Sequence, residues 1–156
     1  MHPPYVGVVG PSAPEDPAIL DHARRAGRLL ADAGCVLVTG GLGGVMAAAA
    51  AGATESAGQA VALLPGTNRD DASPGHTIAL PTGLGEMRNA LLVRSVDALL
   101  ALGGSWGTLS EIALAARTGV PVCAVGGWDL PGPEVETFDD LDDAVAALLA
   151  RVFHTR

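Results

Sequence analysis

The run Gly103-Gly-Ser-Trp-Gly-Thr-Leu-Ser-Glu111 brings together backbone, hydroxyl and carboxylate groups suited to holding an anion. Ala98 to Leu102 predicts a buried strand, Gly103 to Ser105 a turn, and Gly107-Thr108 the opening of an amphipathic helix. A strand feeding a glycine-rich turn and a helix start gathers free backbone N–H groups at the positive end of a helix dipole. Phosphate or another anion is the expected ligand. Gly104, Ser105, Trp106 and Gly107 would cradle it, and the Thr108 hydroxyl adds a donor. Glu111 has two readings on the residues alone. Thr108-Leu-Ser-Glu111 fits a capping box, with the carboxylate returning to the Thr108 amide. The same carboxylate equally fits a catalyst one turn into the helix.

A second glycine run, Gly40-Gly-Leu-Gly-Gly44, follows another apolar stretch. It does not fit the dinucleotide fingerprint, because the third glycine of G-x-G-x-x-G would fall on Met46. NAD is therefore not inferred. Gly40, Gly41, Gly43 and Gly44 serve a tight strand-to-helix turn, direct ligand contact, or both. Gly10 and Ser12 form a third turn after the first strand. Arg88, near a helix start just past Thr82-Gly-Leu-Gly85, fits a surface arginine in isolation. No histidine or cysteine spacing suggests a zinc or iron site. No serine sits in a recognisable nucleophile elbow, so acyl transfer has little support.

These residues are positioned by alternating strands and helices. Strands are expected at Tyr5–Val9, Cys35–Val38, Gln59–Leu64, Thr77–Leu80, 98–102 and Val120–Val125. Helices are expected from Asp16-Pro17, read as N-cap and first position, to a stop at Gly34. Others run from Val45 to about Ser56, Glu86 to about Val96, 108 to 118, and about Asp140 to Phe153. Residues 66–76 and Gly126–Pro133 read as loops. This pattern predicts an α/β, Rossmann-like three-layer sandwich, with a mostly parallel sheet and helices on both faces. Residues 1–156 are expected to form one domain. The turns at 10–12, 39–44 and 103–107 then fall at the carboxyl ends of strands, where such sheets bind ligands, and line one crevice.

Composition narrows the function classes. The net charge of −8 argues against a nucleic-acid partner. No uninterrupted apolar span approaches membrane length, and the N-terminus lacks the pattern of a signal peptide. Cys35 and Cys123 fall in strand-like runs as reduced core residues, and a cytoplasmic location is expected. All nine basic residues are arginine. Without lysine there is no pyridoxal phosphate Schiff base and no Walker-type phosphate loop.

Together these segments resemble the LOG superfamily. It contains cytokinin riboside 5′-monophosphate phosphoribohydrolases, once mislabelled lysine decarboxylases, and related Rossmann-like nucleotide-binding proteins. The family signature P-G-G-x-G-T-x-x-E corresponds to Gly103–Glu111, and its M-x-x-R-K to Gly85-Glu-Met-Arg-Asn89. Arg88 and Glu111 keep the family's separation. Gly40-Gly-Leu-Gly-Gly-Val-Met46 resembles the family's G-G-G-x-x-G-L-M segment. Ser105 in place of the second motif glycine, Asn89 in place of lysine and Gly85 in place of methionine depart from the pattern. Thr-Gly-Leu-Gly, Arg-Asn and Gly-Thr-Leu-Ser-Glu are closer to a branch that includes proteins similar to molybdenum cofactor carriers.

The resemblance implies a phosphate over Gly104–Thr108, with Glu111 directed at the ribose and Arg88 orienting that glutamate or the ligand. Met46 joins the binding set on the same basis. No cofactor is required. The ligand is an AMP-like nucleoside monophosphate or a phosphorylated pterin, and a homodimer is expected. The leading function is binding of a 5′-phosphate nucleotide, with hydrolysis of its base–ribose bond. The alternatives are a non-catalytic carrier of molybdenum cofactor and a ligand-sensing module that acts through a partner.

Overall fold

Short apolar runs punctuated by glycine and proline make strands too brief to stand alone, so they pair side by side and the intervening segments cover them. The computed structural model describes residues 1–154. Its elements are β1 (Tyr5–Val9), α1 (Ala18–Asp32), β2 (Val36–Thr39), α2 (Val45–Glu55), β3 (Ala60–Leu64) and β4 (Ile78–Pro81), followed by α3 (Arg88–Ser95), β5 (Ala98–Leu102), α4 (Trp106–Thr118), β6 (Val122–Val125), β7 (Val135–Phe138) and α5 (Leu141–His154). The strands form one seven-stranded sheet in the order β4-β3-β2-β1-β5-β6-β7. Every pairing is parallel. The chain starts at the centre, steps outward to β4, then returns to lay β5 beside β1. The α/β Rossmann-like architecture is as expected.

Alternation along the central strands sorts the core into two layers. Val6 and Val8 of β1, with Leu100 and Leu102 of β5, pack against Leu30 of α1, Ala49 of α2 and Leu148 of α5. Val9, Leu99 and Ala101 face the other way, onto Leu92 and Val93 of α3 and Ile112 and Ala115 of α4. Burial on both faces explains why these strands are almost continuously apolar. Cys35 and Cys123 are buried in the first layer.

The small residues of α2 have a packing reason. A Cβ on Gly52 would lie 1.9 Å from the Arg24 carbonyl oxygen, and one on Gly27 would lie 2.0 Å from that of Ala49. Helices α1 and α2 therefore touch backbone to backbone. Exposed ion pairs border this contact, from Arg24 and Arg28 to Glu55, and Arg25 reaches Asp142 of α5 at 2.7 Å. Such solvated pairs each contribute little.

Some boundaries differ from expectation. Strand β7 was not anticipated; it is a half-buried edge strand whose register comes from pairing with β6, Val122 opposite Val135 and Val125 opposite Phe138. The helix expected from Glu86 starts as a 3₁₀ turn, Gly85–Met87, and becomes α-helical at Arg88. The loop between β3 and β4 contains a 3₁₀ turn at Arg69–Asp71, with the Asn68 side chain accepting from the Asp70 amide. Helix α4 begins two residues before its expected start, for a reason that bears on the site.

Candidate functional site

Because the outgoing connections of β1 and β5 leave in opposite directions, a crevice opens between their carboxyl ends. A cleft of about 460 Å³ lies there. Gly10 and Ser12 line it from the β1 turn, and Gly40 and Met46 from the β2–α2 turn. Ser105, Gly107 and Thr108 line it from the α4 start, with Arg88 and Glu111 at its buried wall. Residues separated by up to a hundred positions thus converge on one site, as the strand ends suggested.

The other predicted positions do not line the cleft. Gly41 is buried, with φ +83°, and its amide donates to the Thr39 hydroxyl at 2.9 Å. Gly44, at φ +61°, caps α2. Gly43 faces the Ser12 carbonyl from an exposed position. Gly104 packs against Trp128, and Trp106 is largely exposed with its ring against Trp128. Sequence reasoning missed Val9, Leu42, Pro65, Gly85, Glu86 and Asn89 as lining residues. Gly85 and Asn89 carried a signal, through the motif that holds Arg88.

The start of α4 contradicts the capping-box reading of Glu111. The N-cap is Ser105, whose hydroxyl accepts from the Thr108 amide at 3.2 Å and lies 3.0 Å from the Thr108 Oγ1. The capping box expected at Thr108 is therefore shifted out of phase, and Glu111 stands a full turn inside the helix. The amides of Trp106 and Gly107 lack intrahelical acceptors, as at any helix N-terminus, and carry the positive end of the dipole.

Arg88 is buried. It donates one terminal nitrogen to the Gly40 carbonyl at 3.2 Å and the other to the Asn89 side-chain oxygen. Asn89 in turn donates to Ser110 Oγ at 3.1 Å. The Arg88 Nε is buried without a hydrogen-bond partner. Burial lowers the Arg88 pKa from its ordinary value, and the charge of Glu111 opposes that shift. Burial pushes the Glu111 carboxyl up to about 7, against the pull of Arg88. A buried guanidinium with an unsatisfied donor, beside a carboxyl that burial raises to about 7, makes this wall the candidate site for a polar ligand.

The β2 turn has its own support. His76 Nδ1 lies 2.9 Å from the Ser73 hydroxyl and 3.1 Å from the Ser73 carbonyl, and a proton on Nδ1 satisfies both as acceptors. Nε2 is then free to accept from the Thr39 hydroxyl at 2.6 Å, and that hydroxyl accepts from Gly41. Burial lowers the His76 pKa from 6.5. A lowered histidine pKa gives stability that is present above the unfolded value and lost as pH falls through the folded one. An NMR titration is expected to place His76 below 6.5 as the Nδ1–H tautomer; a value at or above 6.5 would contradict this network.

No group of three or more His, Cys, Asp or Glu among the described residues could hold a metal ion. No described helix is long and apolar enough to cross a membrane.

Fold and site together define a Rossmann-like α/β protein with a cleft at the carboxyl edge of its sheet. The chain belongs to the SLOG cluster4 family, whose model matches residues 3–150, in agreement with the resemblance read from its motifs. A protein of Archaeoglobus fulgidus is 42% identical over 120 residues, covering 77% of this chain and 78% of that protein. Among solved structures, the molybdenum cofactor binding protein from Rippkaea orientalis is similar with a TM-score of 0.89 and 35% identity, over 94% of this chain and 96% of that one. The Moco carrier protein from Chlamydomonas reinhardtii matches with a TM-score of 0.89 and 31% identity, over 99% and 100%. DNA processing protein A from Helicobacter pylori, at 20% identity and a TM-score of 0.72 over 94% and 80%, shares the fold alone.

Proposed function

We propose that this protein binds a phosphorylated pterin in the cleft and acts as a carrier of molybdenum cofactor. The reading rests on the likeness, over nearly the whole chain, to structures described as molybdenum cofactor binding and carrier proteins. The cleft is chemically compatible. A phosphate would take the free amides of Trp106 and Gly107 and the hydroxyls of Ser105 and Thr108, while Arg88 and Glu111 meet the polar remainder of the ligand. Thr108→Val is expected to weaken a phosphate-bearing ligand about tenfold and its dephosphorylated form far less, measured by calorimetry. Equal losses would remove the phosphate from this turn.

The Glu111 carboxyl, titrating at about 7 beside Arg88, favours a second reading. At neutral pH it exists in both protonation states, as suits a group that orients water or stabilises positive charge at an anomeric carbon. The corresponding activity is hydrolysis of the base–ribose bond of a nucleoside monophosphate. Free base released from AMP by the wild type and not by Glu111→Gln would establish it; no release would leave the carrier role.

We also propose self-association, supported by the apolar side chains that Leu84, Met87 and Leu91 leave exposed around the start of α3, and a cytoplasmic setting for the carrier.

A further inference from the structure

The loop between β6 and β7 contains no residue that lines the cleft, yet it is pressed against the turn that opens α4. Gly103 donates its amide to the Val125 carbonyl at 3.0 Å. A Cβ on Gly127 would lie 2.2 Å from the Gly103 carbonyl oxygen, so the two backbones are in contact. Trp128 follows. Its indole N–H donates to the Ser105 carbonyl at 3.1 Å. Its ring edge covers Gly104, where a Cβ would lie 3.0 Å from both Cδ1 and Nε1. On its other side it meets Trp106, with ring centroids 4.9 Å apart and planes at 45°.

We propose that Trp128 is the positioning residue of the anion-binding turn. The Ser105 carbonyl already accepts from the Leu109 amide at 2.9 Å, the first hydrogen bond of α4. A carbonyl oxygen has two lone pairs, and Trp128 takes the second. In a trans peptide the carbonyl and the following N–H point in opposite directions. Holding the Ser105 carbonyl toward the helix therefore aims the Trp106 N–H outward, away from the helix body. Trp128 also crowds position 104, where a Cβ would lie 3.0 Å from its ring and force it to shift. The residue touches no ligand. It acts by fixing the peptide plane that presents the first free amide of α4, and its role rests on the assignment of phosphate to that turn.

Trp128→Phe tests this, because it retains a ring against Gly104 and Trp106 but has no N–H. Inorganic phosphate is the probe, titrated against the amide signals of Trp106, Gly107 and Thr108 by NMR, with thermal unfolding measured in parallel. The variant is expected to shift the Trp106 and Gly107 signals in the free protein and to weaken phosphate about fivefold, the effect of one hydrogen bond. Gly104→Ala is the second variant. Its methyl group displaces the indole from the opposite side and is expected to reproduce both effects. Restoring the donor with Trp128→His, which retains a ring N–H, is expected to recover part of the phosphate affinity, which a purely packing role would not predict. Wild-type amide signals and wild-type phosphate affinity in Trp128→Phe and Gly104→Ala would overturn the proposal. Loss of thermal stability with unchanged phosphate affinity would also overturn it, as it would reduce Trp128 to packing. A wild-type protein whose Trp106–Thr108 amides ignore phosphate would instead overturn the phosphate assignment, and the positioning role with it.

Discussion

Glu111→Gln is expected to make the protein more stable at pH 8 and no more stable at pH 4. Burial raises the folded-state pKa of this carboxyl from 4.5 to about 7. Between those values the native state holds a proton that the unfolded chain releases. Its contribution is therefore fully present below the unfolded pKa and is lost as pH rises through the folded one. At pH 8 the wild type carries a buried, ionised carboxylate at a cost on the order of 3 kcal/mol. Glutamine has nearly the same shape and no charge, so it avoids that cost. Chemical unfolding at the two pH values measures the difference. A loss of about 1 kcal/mol at both would be the signature of a lost helix cap, and would contradict the placement of the cap at Ser105.

Arg88→Met has the opposite character. The guanidinium holds the Gly40 carbonyl and Asn89, and its charge restrains the rise in the Glu111 pKa. Its removal is expected to carry Glu111 above 7, because burial then acts unopposed. The turn at Gly40 loses its donor, and the cleft loses an arginine from its wall. Affinity for AMP, as a phosphate-bearing probe, is expected to fall at least about tenfold. Calorimetry reads the affinity, and a carboxyl NMR titration reads the pKa. Unchanged affinity would remove Arg88 from the ligand site.

Glu111 drew attention through its place after a glycine-rich turn, whereas Arg88 read as a surface arginine until the family resemblance paired the two. β5 and its turn could be read because five buried residues are followed at once by Gly103. The phase of α4 could not. Ser105-Trp-Gly-Thr108 and Thr108-Leu-Ser-Glu111 each place a hydroxyl residue three before a polar one, and local pattern does not say which hydroxyl stands at the N-cap. The observed start adds a tertiary contact, the Trp128 indole N–H on the Ser105 carbonyl, to the helix's own bond from Leu109. β7 escaped for a related reason: Val-Glu-Thr-Phe, flanked by glycine and prolines, becomes a strand only beside β6. His76 was unremarkable in a polar loop, and its function as a prop for Gly41 exists only once β4 brings 73–76 against β2. Pro65 and Glu86 reach the cleft through loop geometry that no periodicity records.

The most direct test of the central claim is retention of molybdenum cofactor. The purified protein would be incubated with cofactor released from a molybdoenzyme, desalted, and assayed for bound pterin, with Thr108→Val in parallel. Stoichiometric retention by the wild type, reduced in the variant, is the predicted result. A wild type that retains no pterin, while binding AMP and releasing free base from it, would contradict the carrier role and establish the cleft as a hydrolase site.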